Sequence, residues 1–266
     1  MNRAKSIKAA KTPVVILSGG AGIQTCKGIL PKSLMQIGRI PILLRVIDSY
    51  CKAGFCEFIV ATGIQGKLIN ALFAGLGVKV RIGGSRKAAL KYRLSRNGTR
   101  ISVTVVDTGA ASMTGERLLR VKPFLSGAKR FCMTYGDTIS DLDPSKVLEF
   151  HLAHGRLATL TAVHMPVRFR ILGLYGEDIH VRGFADRAIL EHDSINGGYY
   201  VFERKVLSLP SVLGKVKFAL ENELLEELSE RRELCAYRHD GVWNYFDSEQ
   251  DCVRLAKYWE SSEVRP

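Results

Sequence analysis

The chain has 266 residues, 46% of them apolar, enough for one α/β core with or without a small appendage. No apolar run is long enough to span a bilayer, and the apolar stretch behind the basic start Met1–Lys11 ends too early, at Gly19-Gly20, for a signal peptide; the expectation is a cytoplasmic protein. The net charge of +13, with Asp48 and Glu57 the only acids before Asp107, attracts anions, and because the basic run Lys79–Arg100 holds one aromatic (Tyr92) and no nucleic-acid motif, small anionic substrates are favoured over nucleic acid.

Val14–Leu17 reads as a buried parallel strand, continuous, apolar and closed by glycine. It runs into the loop Ser18-Gly19-Gly20-Ala21-Gly22, with Pro31-Lys32 some way beyond. Pro41–Ala53 reads as a helix with Ile42, Leu43, Val46, Ile47 and Tyr50 on one face, ended by Gly54. Phe58–Ala61 is a strand, Leu68–Ala74 a helix and Val78–Ile82 a strand. Lys87–Arg100 is a polar hairpin or loop turning at Asn97-Gly98, and Ser102–Val106 a strand closing on Asp107-Thr108-Gly109. Gly115–Val121 is a helix, Arg130–Tyr135 a strand ending at Gly136-Asp137, Val147–His154 a helix and Ala158–His164 a strand. Strands near 171–184 and 198–203 follow, then an acidic helix at 219–231. This alternation predicts an α/β fold, a mostly parallel central sheet flanked by helices. No Pro-, Gly- or Ser-rich linker interrupts it, so residues 1–266 read as one domain, with a basic extension over 1–12 and a helical part over 205–266.

The glycine loop is the most informative stretch. Residues without side chains let backbone N–H groups converge on an anion, a helix starting nearby adds its positive end, and Lys32 can neutralise a phosphate. Positions 23 to 25 read Ile-Gln-Thr, with no cation where phosphate chemistry would use one. Asp137, at the end of a central strand, is placed to hold Mg²⁺ against a nucleotide phosphate, or to cap a turn. Asp247 follows an aromatic run, Trp243-Asn244-Tyr245-Phe246; two carboxylates with a glycine loop are what metal-assisted phosphoryl or nucleotidyl transfer needs. Thr114 and Gly115 sit at a helix start, where they bind a ligand or merely cap. Asn196-Gly197-Gly198 reads as a tight turn, or as a place where backbone approaches a sugar ring. His151 and His154 share a helix end without a third ligand, and surface or capping roles outweigh metal. The six cysteines lack the companions of a zinc site and read as reduced thiols.

Taken in order, these segments resemble the sugar-nucleotide pyrophosphorylase (nucleotidyltransferase) superfamily, with glucose-1-phosphate cytidylyltransferases nearest. The carrying motifs are Val103-Thr104-Val105-Val106-Asp107-Thr108-Gly109 with Ser112-Met113-Thr114-Gly115, Thr134-Tyr135-Gly136-Asp137 with Asp141-Leu142-Asp143, Phe150-His151-Leu152-Ala153-His154-Gly155, and Ile195-Asn196-Gly197-Gly198. The resemblance spans Val14 to about Trp259 and implies a Rossmann-like, GT-A-like fold. It implies that an NTP, CTP by the nearest members, and a sugar 1-phosphate give a nucleoside diphosphate sugar and pyrophosphate, by direct attack and with Mg²⁺. Residue by residue, it implies Lys32 and Asp137 as catalytic, Asp137 and Asp247 as metal ligands, and Leu17, Gly19, Gly20, Gly22, Gln24, Lys27, Thr108, Gly109, Thr114 and Gly115 on the nucleotide. Asp186, Arg187, Asn196 and Gly197 fall on the sugar side, and a homo-oligomer is expected. The family loop reads Gly-Gly-x-Gly-Thr-Arg-Leu; here Ile23 and Gln24 replace the threonine and the arginine that clamps the triphosphate, and Lys27 is a candidate substitute cation. Two readings therefore stand beside each other: an active nucleotidyltransferase with altered substrates, and a binding or regulatory protein on the same fold.

Overall fold

The computed structural model describes residues 8–25, 28–80, 89–164, 171–172, 184–185, 194–215 and 217–245. Its main sheet has nine strands: β1 (Val14–Ser18), β2 (Glu57–Thr62), β3 (Val78–Val80), β4 (Ala89–Arg96), β5 (Thr99–Asp107), β6 (Arg130–Tyr135), β7 (Ala158–His164), β8 (Ser194–Glu203) and β9 (Leu234–His239). Their order across the sheet is β9-β7-β8-β6-β1-β2-β5-β4-β3. β1 is buried along its whole length because parallel neighbours flank it, Ile16 registering with Val60 of β2 and Thr134 of β6. β2 in turn pairs in parallel with β5. This centre explains why the apolar runs here are continuous rather than alternating.

The sheet has the expected parallel core, and two strands run against the other seven, β4 on one flank and β8 on the other. Asn97 and Gly98 both take positive φ, 47° and 77°, as a tight hairpin turn requires. They fold β4 back antiparallel on β5, and β3 then lies antiparallel on β4. On the other side β8 inserts antiparallel between β6 and β7. β9 closes that edge in parallel with β7. It alternates half-buried and exposed residues and, with the short strand Trp243–Tyr245, shows that the part beyond 205 is not purely helical.

Two apolar layers cover the sheet. On one face, α1 (Ile42–Lys52), α2 (Gly66–Leu76) and α4 (Pro144–His154) pack Ile42, Ile47, Tyr50, Phe73 and Val147 against Ile16, Val60 and Cys132. On the other, α3 (Thr114–Val121), the wide π-type turn Leu220–Leu224 and α5 (Leu225–Glu230) pack Leu118, Val121, Leu220 and Leu228 against Leu17, Met133 and Phe202. α1 buries the five residues read from its spacing and stops where Gly54 takes φ 91°. α4 starts one turn earlier than expected. Asp143 accepts the Ser145 N–H at 2.9 Å as N-cap and Pro144 opens the first turn, an arrangement favoured because proline lacks the N–H that a first turn leaves unpaired anyway. Among the described residues, no helix is long and apolar enough to cross a membrane.

Candidate active site at the carboxyl ends of the central strands

The loops that leave β1, β2, β5 and β6 converge at one end of the sheet. Gly19-Gly20-Ala21-Gly22 follows β1; Gly20 faces open space, and Gly22 takes φ 79°, with Leu30 O 2.6 Å from where a Cβ would stand. No α-helix follows, contrary to expectation. Ile23–Thr25 instead pairs antiparallel with Gly28–Leu30, a hairpin that suits the β-branched Ile23, Thr25 and Ile29. The loop therefore offers backbone N–H groups without a helix dipole behind them. Lys32 opens a single 3₁₀ turn, Lys32–Leu34, behind Pro31 and is half-buried.

Gly136 shows how three of the expected segments are brought together. A Cβ there would overlap Ser18 Oγ and come within 3.0 Å of Ser33 Cβ. Ser18 adjoins Gly19, Ser33 adjoins Lys32, and Gly136 adjoins Asp137, so the chain segments that carry the loop, the lysine and the carboxylate are neighbours there. The Gly136 N–H donates to Leu17 O at 2.9 Å, which fixes the turn to the end of β1. Ser18, Ser33 and Thr134 bury hydroxyls that have no hydrogen-bond partner. Unanswered buried hydroxyls are rare in native proteins and mark a place built for a polar ligand or water. Half-buried Asp137 supplies the hard oxygen donor that Mg²⁺ prefers. Among the described residues, no group of three or more His, Cys, Asp or Glu side chains is placed to hold a metal. Asp247 lies outside the described residues, but Tyr245, the last of them, registers with Thr138 beside Asp137.

Arg117 is the site residue that the sequence reading passed over. It is 4% exposed and stands on the first turn of α3. Its Nη1 donates to Thr62 O (3.0 Å), Thr108 Oγ1 (2.8 Å) and Gly109 O (2.9 Å). Its Nη2 donates to Gly19 O (2.6 Å) and Ala110 O (3.3 Å). One guanidinium thus ties together the loops after β1, β2 and β5. A Cβ on Gly19 would overlap that guanidinium, so glycine is required there by a close approach. Burial and then Arg120 hold the Arg117 pKa below its ordinary value, with Glu116 and Asp107 opposing them. The signal was present in Thr114-Gly115-Glu116-Arg117, at the start of a helix.

Several expected ligand residues also take part in the scaffold. Thr108 is fully buried, donates to Thr62 O at 2.5 Å and accepts from Arg117. Gly109 takes φ 84°, and its N–H donates to Asp107 Oδ1 at 2.9 Å. Leu17 is buried in β1. A Cβ on Gly115 would overlap the Phe218 ring, and Thr114 is engaged by Leu220 and Glu221. Asn196-Gly197-Gly198 is not a turn. It is a bulge within β8, with the register slipping between Leu160 and Ala162 of β7 and Gly198 at φ 77°. Asn196 Nδ2 donates to Tyr200 OH at 2.6 Å, and Trp243 Nε1 to Gly197 O at 2.7 Å. Lys27, Asp186, Arg187 and the Gln24 side chain lie outside the described residues.

An open α/β sheet with ligand-sized loops at the carboxyl ends of its parallel strands is the architecture of nucleotide-handling enzymes. No family model matches the chain. It is 34% identical over 260 residues to the glucose-1-phosphate cytidylyltransferase of Salmonella typhi, covering 94% of this chain and 96% of that protein. A probable glucose-1-phosphate cytidylyltransferase of Bacillus subtilis is 28% identical over 251 residues, again at 94% and 96% coverage. Its fold matches the crystal structure of HddC from Yersinia pseudotuberculosis complexed with GMP-PN, with TM-score 0.64, 19% identity and 93% and 99% coverage. The chain belongs to the sugar-1-phosphate nucleotidyltransferase family.

Proposed function

We propose that the protein transfers a nucleotidyl group from an NTP, CTP by preference, to a sugar 1-phosphate of the glucose 1-phosphate type. The observation that supports this is the packing of Gly136 against Ser18 and Ser33, the neighbours of Asp137, Gly19 and Lys32, in a chain 34% identical to a glucose-1-phosphate cytidylyltransferase. The backbone N–H groups of Gly19–Gly22 hold the triphosphate, Lys32 offsets its charge, and Arg117 places a buried cation under the loop. Asn196 and Gly197, with Asp186 and Arg187, take the sugar. A phosphate oxygen of the sugar 1-phosphate forms a bond to the α-phosphorus as the bond from that phosphorus to the bridging oxygen breaks. Pyrophosphate leaves with the electron pair, and no covalent enzyme intermediate forms. Asp137, with Asp247 as its expected companion, would hold Mg²⁺, which withdraws charge from the phosphates when bound.

A second reading, a nucleotide- or sugar-nucleotide-binding partner without turnover, is favoured by uncharged Ile23 and Gln24 in the hairpin after Gly22. Mass-spectrometric detection of nucleoside diphosphate sugars from each NTP and a panel of sugar 1-phosphates separates the two. The proposal expects CDP-sugar. Nucleotide binding with no product from any pair would establish the second reading instead.

A further inference from the structure

Glu221 lies far along the chain from the glycine loop, on the π-type turn Leu220–Leu224, yet its carboxylate sits between two segments of the site. Its Oε2 accepts from Thr114 Oγ1 at 2.7 Å, and Thr114 Oγ1 in turn accepts the Leu220 N–H at 2.9 Å. Its Oε1 accepts a hydrogen bond from the Tyr135 hydroxyl. Wide helical turns of this kind are uncommon and tend to stand at functional sites, because they aim a side chain that a regular helix would turn away. Tyr135 is the last residue of β6, directly before Gly136-Asp137. Its ring packs edge-on against Tyr200 with centroids 6.3 Å apart, and lies 2.6 Å from where a Cβ on Gly198 would stand. Tyr200 OH receives Asn196 Nδ2. A continuous set of contacts thus runs from the start of α3, through Glu221 and Tyr135, to the bulge in β8.

We infer that Glu221 is a positioning residue for the reaction. By accepting the Tyr135 hydroxyl it holds the end of β6, and with it Asp137, against the β8 bulge. Losing this hold lets the end of β6 shift, and a displacement of about 1 Å at reacting groups costs on the order of 10²-fold in rate. The inference rests on the nucleotidyl-transfer reading above, and the test separates the two.

Tyr135→Phe removes this bond and leaves the Thr114 contact untouched; Glu221→Gln keeps an oxygen that can accept the hydroxyl and replaces the carboxylate by a neutral amide, with little change of shape in either. In pyrophosphate release with Mg²⁺, CTP and glucose 1-phosphate, each single variant lowers kcat by about tenfold or more, moves KM for CTP less than kcat, and raises the Mg²⁺ concentration needed for half-maximal rate. The double variant loses no more than Tyr135→Phe alone, since without the phenol hydroxyl no bond is left for Glu221→Gln to weaken. The phenolic proton resonance of Tyr135 shifts in Glu221→Gln and is missing from Tyr135→Phe. If Tyr135→Phe leaves kcat and Mg²⁺ dependence unchanged while Glu221→Gln loses melting temperature alone, Glu221 only anchors its own segment and the inference is overturned. If the unmodified protein gives no turnover, the transfer reading falls. The same cycle is then read by calorimetry as Mg²⁺-dependent CTP affinity, where equal affinities in all four proteins overturn the inference by itself.

Discussion

At the amino ends of the parallel strands, Arg130, His151, His154, Thr159 and Glu203 satisfy one another, whereas at the carboxyl ends Ser18, Ser33 and Thr134 bury hydroxyls without a partner. Arg130 Nε donates to Glu203 Oε1 at 2.7 Å, and His151 lies 2.9 Å from Thr159 Oγ1 and 3.4 Å from Glu203. His154 Nε2 reaches the same threonine hydroxyl at 2.7 Å. The pair His151 and His154, ambiguous as a motif, is therefore structural. A polar network closed on itself holds α4 to the sheet. A polar cluster left open, under glycines whose approach is set by Arg117, is an arrangement that fits a ligand. The comparison teaches that the two ends should respond differently to substitution: stability first at one, turnover first at the other.

The largest stability effect is expected at the closed end. Glu203→Ala leaves Arg130 and His151 without their carboxylate and costs about 3 kcal/mol, read as a fall in denaturant midpoint with KM for CTP unchanged. A matching change in KM would break the distinction between the ends. Next comes Gly136→Ala at the open end, where the new Cβ overlaps Ser18 Oγ. It costs roughly 1–3 kcal/mol and also lowers turnover. Ser18→Gly in the same chain restores part of both; no restoration would show that the strain lies elsewhere. The smallest is a pH effect. Burial lowers the His151 pKa from 6.5 to about 4, opposed by its bond to Glu203 and aided by His154 and Arg130. The folded state therefore binds this proton less readily than the unfolded chain. Stability is fully present above pH 6.5 and is lost as pH falls toward about 4, and His151→Gln flattens that slope in urea titrations at stepped pH.

How much of this was legible in the sequence differs by region for physical reasons. The central strands are readable because burial on both faces leaves mostly apolar residues with a few threonines, and Arg130–Tyr135 and Ala158–His164 fall where their runs place them. At one flank the Asn97-Gly98 turn gives the antiparallel pairing of β4 with β5, whereas the direction of β8 is not readable, because it depends on which strands it inserts between. The glycine loop was found, but not the hairpin behind it. Ile23–Thr25 alone is too short for a period to show. Thr108, Thr114 and Gly115 stand at the carboxyl end of the sheet as their motifs suggest, but their neighbours Thr62, Phe218 and Glu221 come from segments distant in sequence, which no local motif shows. Glu221 was not readable for the same reason, since its partners Thr114 and Tyr135 lie some way off in the chain and leave no local pattern.

The central claim, that the open end of the sheet carries nucleotidyl transfer, is tested most directly by pyrophosphate release from the unmodified protein and Asp137→Asn, side by side with CTP, glucose 1-phosphate and Mg²⁺. The account predicts turnover by the former, and a loss of about 10³-fold or more in the latter with melting temperatures alike. Equal rates in the two proteins, or no release from either while nucleotide still binds, would contradict it.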